Sequence, residues 1–177
     1  DLSAQYYQEA LNYMLKNMPD QDPSQLYSHL AGYYRSTRKD YATALDYCEK
    51  ALKSAKTERS IAHAMIEKCL ILFKQKRMDE FNDCYKEAVQ MADRCKLSAN
   101  ASLQIAHIYR NILDKQYEQA HAHADQLLNK GPQYHAYIYE YAKDYPNAIK
   151  YLRKYHQQQD STNNLLQLSD IAELNTQ

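Results

Sequence analysis

The chain has 177 residues, and its 22 Lys+Arg balance its 22 Asp+Glu, so the formal net charge is zero. Balanced charge argues against a nucleic-acid footprint and against a basic membrane-surface helix. Two glycines and four prolines argue against a β-sandwich or a doubly wound α/β fold, whose many turns need both.

An all-α chain follows, with 45% apolar and 25% charged residues in the balance of a folded domain. Residues 3–17 predict a helix with Tyr7, Ala10 and Leu11 inward. Asp1, lacking a Met and standing within that pattern, reads as the start of a piece cut from a longer protein. Tyr27, Leu30, Ala31 and Tyr34 then share one face of a second helix. A helix start at Tyr41-Ala-Thr-Ala44 continues inward through Cys48 and Ala51. Met65, Cys69 and Leu72 take the places of the earlier face, followed by a start at Met78-Asp-Glu-Phe81 with Tyr85 and Ala88. Ser102, Ile105, Ala106 and Tyr109 precede a start at Tyr117-Glu-Gln-Ala120 with Ala124 and Leu127. A short helix near Pro132 carries Ala136 and Tyr139 and leads to Tyr145-Pro-Asn-Ala148 with Leu152 and Tyr155.

The helix-start pattern therefore occurs four times, its last members separated by 37, 39 and 28 residues. A period in the thirties with two helices per unit marks a helical solenoid. A non-repeating bundle would also carry alanine and tyrosine stripes, but not four copies of one helix start. These residues resemble the tetratricopeptide repeat, with its W-x2-L-G-x2-Y, A-x3-F and closing P signature. The departures are the absence of Trp, one or two extra residues in the first and third turns, and a shortened last linker. The resemblance implies a right-handed α-solenoid of about four to five hairpins over residues 1–160, with a capping or signalling helix over 161–177.

No phosphate-cradling glycine motif and no H-E-x-x-H is present. His121 and His123, two apart on a helix, point to different sides and could not easily share a metal. Cys48, Cys69, Cys84 and Cys95 form no C-x-x-C, so unpaired thiols are expected, with one disulfide as the alternative. No cofactor, metal or catalytic residue is expected. The 18 tyrosines, against two Phe and no Trp, are divided between core positions and recognition surfaces.

The first helix of each hairpin lines the concave side of such a solenoid. Helical phase then assigns Ser28, Arg35, Ile66, Phe73, His107, Arg110, Tyr137 and Tyr141 to a groove for a protein or peptide. The Lys and Asn clamp of chaperone-binding family members has Ser28 and Gly32 in its matching places, so capture of a terminal carboxylate is not expected. Nucleic acid is not expected as a partner, nor is direct membrane contact: the longest apolar runs, such as 69–73, fall far short of the about 20 residues that span a bilayer. Leu165, Leu168, Ile171, Ala172 and Leu174 give the C-terminal segment an amphipathic helix, which resembles the run-out helix of bacterial tetratricopeptide sensors. That resemblance implies the extracytoplasmic sensory region of a two-component-type regulator, signalling or homodimerising through the last helix. A cytoplasmic scaffold, a peptide-responsive regulator and a simple capping helix are the alternatives.

Overall fold

The computed structural model describes residues 2–174, with side chains described through Ser161. The helices are α1 (Leu2–Asn17), α2 (Ser24–Tyr33), α3 (Tyr41–Ser54), α4 (Glu58–Lys74), α5 (Met78–Arg94), α6 (Ala101–Leu113), α7 (Tyr117–Asp125), α8 (Gly131–Tyr141) and α9 (Tyr145–Leu174). No strand occurs among the described residues. Helices α3, α5, α7 and α9 begin at the four residues that open the repeated pattern, Tyr41, Met78, Tyr117 and Tyr145. The chain divides into two compact units, one through Ala106 and one from His107 onward, so the boundary falls within α6. Helix α9 crosses residue 160 without a break; residues 175–177, the end of the expected signalling helix, lie outside the described residues.

The helix starts coincide because the turns before them are the same. Lys76, Lys115 and Lys143 each adopt positive φ, at 60°, 57° and 61°. The residue after each lysine returns its N–H to a carbonyl five back: Arg77 to Leu72 at 3.0 Å, Gln116 to Asn111 at 2.8 Å, and Asp144 to Tyr139 at 2.9 Å. The lysine N–H itself reaches three back, to Phe73, Ile112 and Glu140. This pair of bonds is the Schellman closure, which satisfies carbonyls that the last helical turn leaves without a partner. The residue after the lysine also starts the next helix, and Asp144 does so by accepting from Asn147 N–H at 3.3 Å.

The first of these turns is a widened version. Helix α2 runs into a π-helical segment, Tyr34–Arg38, and Lys39 at φ 54° then carries Asp40, whose N–H bonds Tyr34 O. Asp40 caps α3 by accepting from Thr43 N–H at 3.1 Å. The extra residue expected in the first turn is thus absorbed by a π-bulge. The third turn has no insertion, contrary to the sequence-based expectation: its three linking residues match those of the second and fourth. Lys96, at φ 55°, closes α5 with the same bond pattern, through Leu97 N–H to Ala92 O.

In the first unit α2 packs on α3, α4 packs on α2, α3 and α5, and α1 packs on α2. Ala44, Cys48 and Ala51 of α3 are fully buried, as are Ala31 of α2 and Phe81 of α5. The small side chains let α2, α3 and α4 approach, and Phe81 fills the α4–α5 seam edge-to-face with Phe73, centroids 5.4 Å apart. Asp22 ties two loops together: Ser24 N–H (2.9 Å), Lys56 N–H (3.0 Å) and Ser60 Oγ (2.8 Å) all donate to its carboxylate. Burial alone would raise its pKa, but hydrogen bonds from Ser24, Lys56 and Ser60 outweigh that and hold it at about 2.

In the second unit α8 packs on α7 and α9. Ala120, Ala124 and Leu127 are buried as expected. Gly131 begins α8, where a Cβ would stand 2.9 Å from Ala124 O, so glycine is required by that close approach. Two inward assignments are corrected. Leu152 is 45% exposed, because α9 turns Tyr151 toward α8 instead, and Ala10 of α1 is exposed while Leu11 is buried.

The left-handed conformation costs an L-residue free energy that glycine avoids. Lys76→Gly and Lys115→Gly are each expected to raise stability by about 0.5–1 kcal/mol in urea unfolding. Unchanged or lowered midpoints would contradict the turn assignment.

Candidate functional site

Ser28, Arg35, Ile66 and Phe73 belong to the first unit and His107, Arg110, Tyr137 and Tyr141 to the second. Two of the eight leave no surface for a partner: Ile66 is 1% exposed and Phe73 2%. Helical phase misassigns them because α4 is apolar nearly all round, with Ala62, Ala64, Cys69, Leu70, Ile71 and Leu72 also buried. Ser28 is buried as well, and its hydroxyl has no hydrogen-bond partner among the described residues.

Arg35 has a different setting. Its Nε donates to Glu67 Oε2 at 3.0 Å, and Ser102 Oγ donates to Glu67 Oε1 at 2.6 Å. The Arg35 and Glu67 side chains retain only 11% and 12% of their exposure. One carboxylate on α4 therefore joins α2 to the start of α6 through two bonds in a partly dehydrated setting, where pairing offsets the cost of burying charge. The polar line continues with His63 beside Asn100, 3.4 Å apart, and with His29, which stacks on Tyr7 of α1 at 5.0 Å. Asn100 also caps α6 by accepting from Leu103 N–H at 2.9 Å.

In the second unit the aromatic residues converge on α8. Tyr137 packs on Tyr109 of α6, centroids 5.9 Å apart, and its hydroxyl donates to the Tyr141 hydroxyl at 3.3 Å. Tyr134 joins Tyr109 at 6.4 Å. Tyr141 remains 44% exposed at the end of α8, and Tyr137 and Tyr141 are two assigned residues that the structure brings into contact. Burial first, and then the Tyr141 hydroxyl bond, raise the Tyr137 phenol above its ordinary value. Arg110 is bonded to Asp114 through Nε at 2.9 Å and a terminal nitrogen at 2.7 Å. His107 stacks on His123 at 4.7 Å.

The other flank of α8 carries a chain that the sequence pattern does not announce. His121 Nδ1 lies 2.7 Å from His135 Nδ1, and His135 Nε2 lies 2.9 Å from Asp125 Oδ1. Asp125 can only accept, so His135 donates from Nε2 and accepts at Nδ1, and His121 donates from Nδ1. Tyr139 (4.5 Å from the His121 ring) and Tyr151 (4.9 Å from the His135 ring) pack against this chain. His121 and His123 do point to different sides, one toward His135 and the other toward His107. No group of three or more His, Cys, Asp or Glu among the described residues could hold a metal ion. The arrangement is chemically a proton-sensitive contact between α7 and α8.

Signals for the missed residues are uneven. Glu67 stands out as a carboxylate within the apolar stretch 61–73, and Lys-Asp-Tyr recurs at 39–41 and 143–145. The His121–His135 pairing needs the α7–α8 packing and has no local mark. No protein-family model, curated protein or solved structure matches the chain. No helix among the described residues is long and apolar enough to cross a membrane.

Burial first, and then the neighbouring His135 imidazole, lower the His121 pKa from its ordinary 6.5, with Asp125 opposing. A histidine depressed in this way stabilises the fold fully above its unfolded pKa, and that contribution is lost as pH falls below about 6.5 toward the folded value. Burial lowers His63 and His123 in the same direction. The urea midpoint is therefore expected to fall between about pH 7.5 and pH 5.5, and His121→Gln should shrink the difference without abolishing it. A difference that is unchanged or enlarged in His121→Gln would contradict the assignment.

Proposed function

We propose that this chain is a non-catalytic module of tetratricopeptide type that binds a protein or peptide. The observation that carries the reading is the aromatic surface of α8, where Tyr141 is exposed beside Tyr137 and the hydroxyls of the two are bonded. Tyrosines of this kind offer large rigid contact area with a hydroxyl at the edge, the composition favoured at the centre of recognition surfaces. The Schellman turns at Lys76, Lys115 and Lys143, each followed by the same helix start, support a repeated hairpin unit. The Arg35–Glu67–Ser102 contacts act as a rigid brace in the first unit rather than as a ligand site.

A sensory role in a two-component-type regulator is favoured by α9. It packs on α8 near its beginning and then runs as one helix to Leu174, 30 residues in all or about 45 Å. A helix of that length, anchored beside the aromatic surface, suits the transfer of a binding event along the chain. An extracytoplasmic setting goes with this reading, and a cytoplasmic one with the scaffold alternative.

Selection of a random peptide library on the immobilised chain tests the binding site. Tyr141→Ala is expected to weaken the selected peptides about tenfold, the size of a moderate hot spot. Equal affinity for Tyr141→Ala would remove α8 as the recognition surface.

A further inference from the structure

The thiols of Cys69 and Cys84 lie outside the binding surface and touch each other across the α4–α5 seam. Cys69 is fully buried on α4, while Cys84 on α5 is only half-buried. Their sulfurs are 2.8 Å apart, and Cys84 Sγ also lies 3.5 Å from the carbonyl oxygen of Met65. A disulfide bond is about 2.05 Å, so a small rotation of the two side chains brings the sulfurs to bonding distance. The surroundings distinguish the two. The S–H of Cys69 donates to Cys84 sulfur and, with the Lys68 ammonium, stabilises a Cys84 thiolate and lowers its pKa against the effects of burial and Glu87. That bond and burial raise Cys69. A partly exposed thiol of lowered pKa with a resolving thiol in contact is the arrangement of peroxide-sensitive cysteines.

We propose that Cys69 and Cys84 form a reversible intramolecular disulfide on exposure to a hydroperoxide, with Cys84 as the attacked sulfur and Cys69 as the resolving one. In the first step the Cys84 thiolate attacks one oxygen of ROOH, the O–O bond breaks, and with one proton the products are Cys84 sulfenic acid and ROH. In the second the Cys69 sulfur attacks the Cys84 sulfur, the S–O bond breaks, and the thiol proton leaves with the hydroxyl as water. Two thiols are oxidised by two electrons and one peroxide is reduced. A dithiol reductant returns both thiols by exchange. The disulfide closes a loop between neighbouring helices and locks the α4–α5 hairpin.

The test is a peptide map of the full chain after graded hydrogen peroxide, alkylation and denaturation. Trypsin cuts after Lys68, Lys74, Arg77 and Lys86, so the two cysteines fall on separate peptides, 69–74 and 78–86. The expected product is these two peptides joined, released by a dithiol, with Cys48 and Cys95 still alkylated. In Cys69→Ser, Cys84 should stop at the sulfenic acid and be captured by dimedone. In Cys84→Ser, Cys69 should remain alkylatable at peroxide levels that oxidise the wild type. Several results would overturn the proposal. They are a disulfide from either cysteine to Cys48 or Cys95, a bond between two chains, Cys84 carried to sulfinic acid while Cys69 stays free, or both thiols unreacted when free cysteine is consumed. The wild-type map decides between these even if a variant does not fold.

Discussion

A hairpin of two helices closes only if the chain reverses within a few residues, and the reversals that lead into α3, α5, α7 and α9 each carry a lysine held at positive φ. The left-handed lysine satisfies the carbonyls at the end of one helix and sets the residue at which the next begins. Much else follows from that register. It directs Ala44, Cys48 and Ala51 of α3, and Phe81 and Ala88 of α5, into the core. It also aligns α5 so that Cys84 meets Cys69, and α9 so that Tyr151 meets His135. The turn at Lys39 tolerates an added residue by widening α2 into a π segment, which leaves the start of α3 at Tyr41.

The two units use different chemistry to hold their helices in place. In the first, one shielded carboxylate, Glu67, accepts from Arg35 and Ser102, and Asp22 accepts from three donors in two loops. These are directional contacts with costly alternatives, and they favour one arrangement of α2, α4 and the start of α6. In the second, contacts on α8 come mainly from stacked tyrosines and histidines, which combine apolar area with hydroxyl and imidazole edges. One flank of α8 is closed by the His121–His135–Asp125 chain, and the other ends in exposed Tyr141. The surface proposed for recognition on the second flank is then backed by the His121–His135–Asp125 chain.

The helix starts at Tyr41, Met78, Tyr117 and Tyr145 were legible from local spacing, because an aromatic or Met three residues before an inward Ala or Phe is a one-dimensional pattern. Burial was legible where a helix has one apolar stripe, as in α3. It failed on α4, whose apolar residues surround the axis, so that Ile66 and Phe73 could not be told from groove residues by phase. It failed on α9 too, where Tyr151 and Leu152 are adjacent and only the α8–α9 packing selects between them. The positive-φ lysines were hidden because glycine or asparagine is the residue that usually marks such a turn. Arg35 was assigned to the groove by phase, but its partner Glu67 is 32 positions away, and no local pattern links them.

Amide hydrogen exchange, measured for the chain alone and with a selected peptide bound, tests the binding role most directly. A binding surface on α8 requires slower exchange concentrated in residues 131–141 and 107–113, with the peptide recovered intact. Protection confined to other helices, or conversion of the peptide to product, would contradict a non-catalytic module that recognises its partner through these tyrosines.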